Sequence, residues 1–156
     1  MTRGFWGVGV YHPKTSENVG TLWRAAHLYG ASFIFTIGPR YRRQASDTTK
    51  ALLSLPLHNY PTWQAFQDAR PMAAPLVGVE LADRAIPLRH FGHPLRAVYL
   101  LGAEDHGLPA DVMADCQHIV QVEALQPWSM NVAMAGSLIA YDRHIKSLTA
   151  REAVAS

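Results

Sequence analysis

The chain has one cysteine among its 156 residues, Cys116, so no intrachain disulfide can form and nothing calls for an oxidising compartment. It contains no run of 18 apolar residues, and its N-terminus passes directly into Gly4-Phe5-Trp6-Gly7-Val8-Gly9-Val10 without a basic region or a cleavage signature. Neither a membrane span nor a secretory leader is expected, which leaves the cytoplasm as the default location. Several catalytic signatures are missing too. No G-x-G-x-x-G follows the first apolar run, where the chain reads Tyr11-His12-Pro13-Lys14, and there is neither a P-loop nor a G-x-S-x-G elbow. None of the eight histidines forms an H-x-x-x-H pair and no cysteine cluster supports them, so no metal site is expected. Cys116 falls inside a predicted helix and reads as a small buried apolar residue, not as a nucleophile.

Charged residues make up only 17% of the chain and apolar ones 49%, a balance that points to a buried sheet or a subunit interface. At this length one domain, residues 1–156, accounts for the whole chain and can bury roughly two-thirds of its unfolded surface. The net charge of +2 allows an anionic partner without demanding one. Its local distribution says more. Arg40, Arg42 and Arg43 flank Tyr41, a spacing that could lay guanidinium groups along a phosphate backbone beside a ring for base stacking, although a solvated loop has the same composition.

Strand and helix patterns alternate along the chain. Phe5–Tyr11 is short, apolar and glycine-rich, as in a buried strand packed closely by its neighbours, and His12-Pro13 ends it. Ser16-Glu17-Asn18 offers capping side chains, and Val19, Leu22, Trp23, Ala26 and Tyr29 recur at helical spacing until Gly30. Asn18, Thr21, Arg24 and His27 form a polar stripe on the opposite side. Ser32–Ile37 is a second strand, completing a strand-helix-strand crossover. Beyond the basic segment, Thr48–Leu53 reads as a short helix, Leu55–Tyr60 as an edge strand tolerant of Pro56, and Thr62 as the cap of a helix carrying Trp63 and Phe66. Leu76–Val79 and Ala97–Leu101 read as central strands, separated by a proline-bearing segment. Pro109 suits the first turn of a helix reaching Cys116, and Ile119–Val122 makes the last strand. From Asn131 to Leu148 the helical period returns, but Val132, Met134, Ala135, Leu138, Ile139, Tyr141 and Ile145 cover more than one face. That helix is expected to join a dimer interface as well as the core. The fold class is therefore α/β, a three-layer parallel sheet.

In such a sheet, ligands bind in loops beyond the C-terminal ends of strands. Two polar loops qualify: Gly102-Ala103-Glu104-Asp105-His106-Gly107 and the segment closing on Ser129-Met130-Asn131. A third motif, Asn18-x-Gly20-x-x-x-Arg24, lies near the start of the chain. Singly, these residues are what caps and turns use. Together and in this order, over nearly the whole length, they resemble the SpoU (TrmH-like) branch of the SPOUT RNA methyltransferases. The size is similar to that of the compact TrmL-type tRNA 2′-O-methyltransferases, which have no added RNA-binding domain.

The resemblance implies a C-terminal deep trefoil knot, a homodimer, and S-adenosylmethionine held in the knot. It implies an RNA substrate, tRNA first and rRNA as the nearest alternative, with no DNA partner. By position, Arg24 would activate the ribose 2′-hydroxyl, Asn18 would orient it, and Glu104, Ser129 and Asn131 would complete the site. Gly102 would let the backbone approach the adenosine, while Val79, or Gly78 by an equally good alignment, would line its pocket with Val122, Leu125, Ser129 and Met130. Arg40, Arg42 and Arg43 would meet the RNA. An RNA-binding dimer that has kept the fold and lost catalysis is the alternative in a different class, and the retained motifs argue against it. A guanidinium pKa above about 12 leaves almost no neutral form at pH 7, so Arg24 is expected to stabilise the developing alkoxide and the adjacent phosphate, whereas the family proposal is a base. The chain departs from the family at Val122-Glu123-Ala124, where Ile-Pro-Met is common, and Glu123 is expected to bring a charge near the cofactor pocket.

Overall fold

The computed structural model describes residues 4–39, 54–103 and 105–156. The helix expected at Thr48–Leu53 lies outside the described residues, as do Arg40, Arg42, Arg43 and Glu104. Among the described residues, seven strands form one sheet: β1 (Phe5–Tyr11), β2 (Phe33–Ile37), β3 (Leu57–Tyr60), β4 (Leu76–Val79), β5 (Ile86–Pro87), β6 (Arg96–Leu101) and β7 (His118–Gln121). Their order is β3-β2-β1-β6-β4-β7-β5, and every pairing is parallel.

Alternation along β1 puts Phe5, Gly7, Gly9 and Tyr11 on one face of this sheet and its other three residues on the opposite one. Trp6, Val8 and Val10 pack there with Val19, Leu22 and Trp23 of α1 (Ser16–Leu28) and with Val132, Ala135 and Ile139 of the C-terminal helix. On the other face Phe33, Phe35, Val98 and Leu100 meet Phe66 of α2 (Trp63–Ala69) and Val112 of α3 (Ala110–Ala114). Gly7 and Gly9 lie beneath those two phenylalanines, because a Cβ at either would overlap the ring of Phe33 or Phe35. The sheet is thus the middle of three layers, as the alternating pattern predicts. The C-terminal helix, α4, spans Val132–Ala155 and extends beyond Leu148, where the apolar period fades.

Several boundaries differ from the sequence reading for identifiable reasons. The cap of α1 is Thr15, whose Oγ1 accepts from Asn18 N–H at 3.4 Å, so Asn18 keeps its side chain for other contacts. α3 stops at Ala114, and Cys116 lies just beyond it, buried, with its thiol pushed up to about 11 by burial. β5 arises inside the proline-bearing segment. A proline is accommodated there because β5 is an edge strand and needs few ladder donors.

Two features of the topology set up the site. β7 is inserted between β4 and β5, with Val120 paired to Val79 on one side and to Ile86 on the other. Residues 80–85 therefore cross the C-terminal end of β7. α4 is anchored from beneath by Arg143, which donates to Pro94 O at 2.6 Å, Leu95 O at 2.9 Å and Tyr99 Oη at 3.1 Å. Its guanidinium also lies 5.7 Å from the Trp6 ring centroid, so this buried charge is fully engaged. On its other side, α4 leaves Met134, Leu138, Tyr141, Ile145 and Leu148 exposed, Met134 to 54%. This is the second apolar face that the sequence pattern predicts.

Candidate active site

β6, β4 and β7 are adjacent in the sheet, and the segments that follow them enclose a cavity of about 640 Å³. One wall is the turn Gly102-Ala103 to Gly107-Leu108. The opposite wall is the segment from Val122 through Leu125, Trp128, Ser129 and Met130, and Val79, Glu80 and Leu101 lie between them. Gly102 is required by the turn itself, since a Cβ would sit 2.6 Å from Leu108 N. The close approach it permits is thus first of all to the chain's own backbone. Gly107 N–H donates to Ala103 O at 2.9 Å, and Gly107 adopts φ +61, a conformation that glycine takes at little cost. Lys14, from the loop after β1, pairs with Asp105 and ties the turn to the start of α1.

The rim of the cavity joins the two ends of the chain. Asn131 caps α4, its Oδ1 accepting from Met134 N–H at 3.1 Å, while its Nδ2 donates to Asn18 Oδ1 at 3.1 Å. Residues separated by more than a hundred positions thus share one hydrogen bond. Arg24 is exposed on α1 and does not line the cavity. It lies six positions beyond Asn18, which on a helix is roughly 9 Å along the axis and about a third of a turn around it.

A model of the SpoU rRNA methylase family matches residues 7–141. The chain belongs to this family. No curated protein matches it. Among solved structures, the SpoU methyltransferase AviRb from Streptomyces viridochromogenes superposes with a TM-score of 0.81 and 23% identity, covering 94% of this chain and 61% of its own. An S-adenosylmethionine-bound rRNA methyltransferase from Sinorhizobium meliloti gives 0.78 and 21%, covering 92% and 57%. A structure described by its work on 2′-hydroxyl methylation of C/U34 on tRNA gives 0.78 and 23%, covering 94% and 92%. The chain thus spans about six-tenths of the length of the first two and nearly all of the third. These likenesses show the fold, the α/β knot of the SPOUT methyltransferases.

Within this SpoU fold the three motifs converge only in part. Gly102, Val122, Leu125, Ser129 and Met130 all line the cavity, and Asn18 and Asn131 meet beside it. Of the two alternatives on β4, Val79 lines the cavity, whereas Gly78 faces the other side, where a Cβ would sit 2.7 Å from Ile119 Cδ1 and 3.1 Å from Cys116 Sγ. The expectation that Glu123 charges the pocket is corrected by the geometry. Gln121, Val122, Ala124 and Leu125 line the cavity while Glu123 between them does not, and its carboxylate pairs with Arg89. The sequence motifs overlook Glu80. Its carboxylate accepts from Leu81 N–H and Leu108 N–H, each at 2.9 Å. The one signal for it is a carboxylate placed directly after the C-terminal end of a parallel strand.

Proposed function

We propose that this SpoU-family chain is an S-adenosylmethionine-dependent RNA 2′-O-ribose methyltransferase, acting on tRNA as a cytoplasmic homodimer. The observation that carries the reading is the cavity at the ends of β4, β6 and β7, with Ser129 and Met130 in its wall and the Asn131–Asn18 hydrogen bond at its rim. About 640 Å³ lies within the usual range for a cofactor of this size. The lining also suits it. Val79, Leu101, Val122 and Met130 offer an apolar bed for a purine, and the polar turn and the Ser129 hydroxyl offer partners for a ribose and an amino-acid tail. Bound there, S-adenosylmethionine supplies an electrophilic methyl group on a sulfonium.

The chain's own residues would do the rest. Asn18, held by Asn131, would help to orient the target 2′-hydroxyl, part of a positioning effect worth roughly 7–11 kcal/mol in all. Arg24 would stabilise the negative charge that builds on the 2′-oxygen and on the neighbouring phosphate. Because Arg24 lies away from the cavity of its own chain, it is assigned to the cavity of the partner protomer. The exposed apolar face of α4 supplies a surface for such a partner. Arg40, Arg42 and Arg43 are assigned to the RNA backbone and Glu104 to the cofactor turn, both on sequence position.

The tRNA assignment is supported by the likeness to the relative described by its work on tRNA, 92% of whose length this chain covers. A ribosomal substrate is the second reading, favoured by the rRNA methyltransferase from Sinorhizobium meliloti. Mass spectrometry of ribose-methylated nucleosides in tRNA and rRNA, from cells with and without the gene, tests both. Loss of one methylated tRNA nucleoside is expected. Unchanged methylation in both RNA pools, with no calorimetric binding of S-adenosylmethionine, would leave only the non-catalytic RNA-binding reading.

A further inference from the structure

Glu80 stands where three walls of the cavity meet. It follows β4 directly, and its backbone N–H donates to Val120 O at 3.0 Å, which ties it to β7. Its carboxylate reaches in the other direction, to Leu108 N–H at 2.9 Å. Gly107 makes this possible, because a Cβ there would overlap Glu80 Oε2. Among the described residues a second side-chain tie on the turn, Lys14 to Asp105, is exposed and open to screening by salt. Glu80 is half-buried and gives a charge-assisted bond, about twice as strong as a neutral one.

We propose that Glu80 is a positioning residue of the cofactor site, holding the turn from Gly102 to Leu108 against β4 and β7 so that the cavity is already spaced for its ligand. This rests on the reading of the cavity as the S-adenosylmethionine site. Glu80 acts through the turn: each of its oxygens accepts from a backbone N–H, and one of these is Leu108 in the turn itself. Neither the SpoU motifs nor the apolar periodicity of β4 includes it.

The test uses the full chain, calorimetric titration with S-adenosylhomocysteine, and hydrogen exchange of the turn measured without ligand. Glu80→Ala is expected to weaken binding by about 10- to 100-fold and to speed exchange at Leu108. Glu80→Gln keeps one acceptor oxygen and should fall between wild type and alanine. Gly107→Ala crowds the carboxylate and should also weaken binding, but by less once Glu80 is alanine, because the two residues are in contact. An affinity in Glu80→Ala within about twofold of wild type overturns the proposal whatever the exchange shows. So does a loss that tracks the melting temperature and is equal in the alanine and glutamine variants, because that is the mark of a purely structural residue. If wild type itself fails to bind, the cofactor reading falls first and this proposal falls with it.

Discussion

Replacing Asn131 by aspartate separates the two tasks of its side chain. Oδ1 accepts from Met134 N–H and caps α4, while Nδ2 donates to Asn18, both at 3.1 Å. A carboxylate keeps the cap and adds a negative charge at a helix N-terminus, worth about 0.3–1 kcal/mol. It has no proton for Asn18, and that lost hydrogen bond costs about 0.5 kcal/mol, the low end of the usual range, because the contact is exposed. The two effects nearly cancel. Asn131→Ala removes both bonds and should cost about 1.5–2.5 kcal/mol, or roughly 3–10 °C in melting temperature for a chain of this size. Calorimetric melting should therefore place Asn131→Asp within about 2 °C of wild type and well above the alanine variant. Turnover should nevertheless fall in both, because Asn18 can regain a partner in the aspartate variant only by turning its amide and presenting its other end to the substrate. Two results would refute this reasoning. If the aspartate variant melts as low as the alanine variant, Asn131 is not the effective cap. If the aspartate variant turns over at the wild-type rate, the Asn18 contact has no part in the reaction.

Three further outcomes are expected. Arg24→Ala should lower turnover by about 10²–10³-fold or more while cofactor affinity by calorimetry stays near wild type, and an equal loss of both would make Arg24 structural. Burial lowers the His93 pKa below its ordinary 6.5, outweighing the hydrogen bond and charge of Asp142 that raise it, while Arg143 and Lys146 lower it further. The unfolded chain therefore takes up this proton first as the pH falls, so the stabilisation is complete above about pH 6.5 and is lost below it. Melting temperatures at about pH 7.5 and about pH 5.5 should diverge in wild type and converge in His93→Gln, whose amide can keep a bond to Asp142. Gly9→Ala forces a Cβ into the Phe35 ring and should cost about 1–3 kcal/mol, measured by urea unfolding, with partial recovery when Phe35 is also changed to leucine.

Much of the architecture is legible in the chain because the buried parallel strands are nearly continuous apolar runs. β1, β2, β4, β6 and β7 all coincide with such runs, to within one or two residues. β5 does not, since two residues containing a proline carry no period. The order of the strands is not local information either: nothing in the spelling of His118–Gln121 says that it inserts between β4 and β5. The resemblance to a knotted family implies a threaded C-terminal segment, which hydrophobic periodicity does not, but gives no strand order. Glu123 shows the same limit. The motif places it beside residues that do line the cavity, and only the folded chain shows its carboxylate paired with Arg89 instead. Glu80 was hidden for another reason. Its partner is a backbone N–H, and backbone groups carry no mark in the sequence.

The proposed role of Arg24 in the partner's cavity would make the dimer a condition of the chemistry, with an outcome that can be counted. α1 carries Asn18 at the rim of its own cavity and Arg24 about a third of a turn away, off the cavity lining. If Arg24 serves the partner's cavity, each site takes Asn18, Ser129 and Asn131 from one protomer and Arg24 from the other. Arg24→Ala and Asn131→Ala, each inactive alone, then complement one another. In a mixed dimer one site receives both defects, and the other receives wild-type residues from both chains. With random pairing of equal amounts about half the dimers are mixed, so about a quarter of wild-type activity should return after co-refolding. If Arg24 acts on its own chain's cavity, every site in every dimer keeps one defect, and mixing restores nothing.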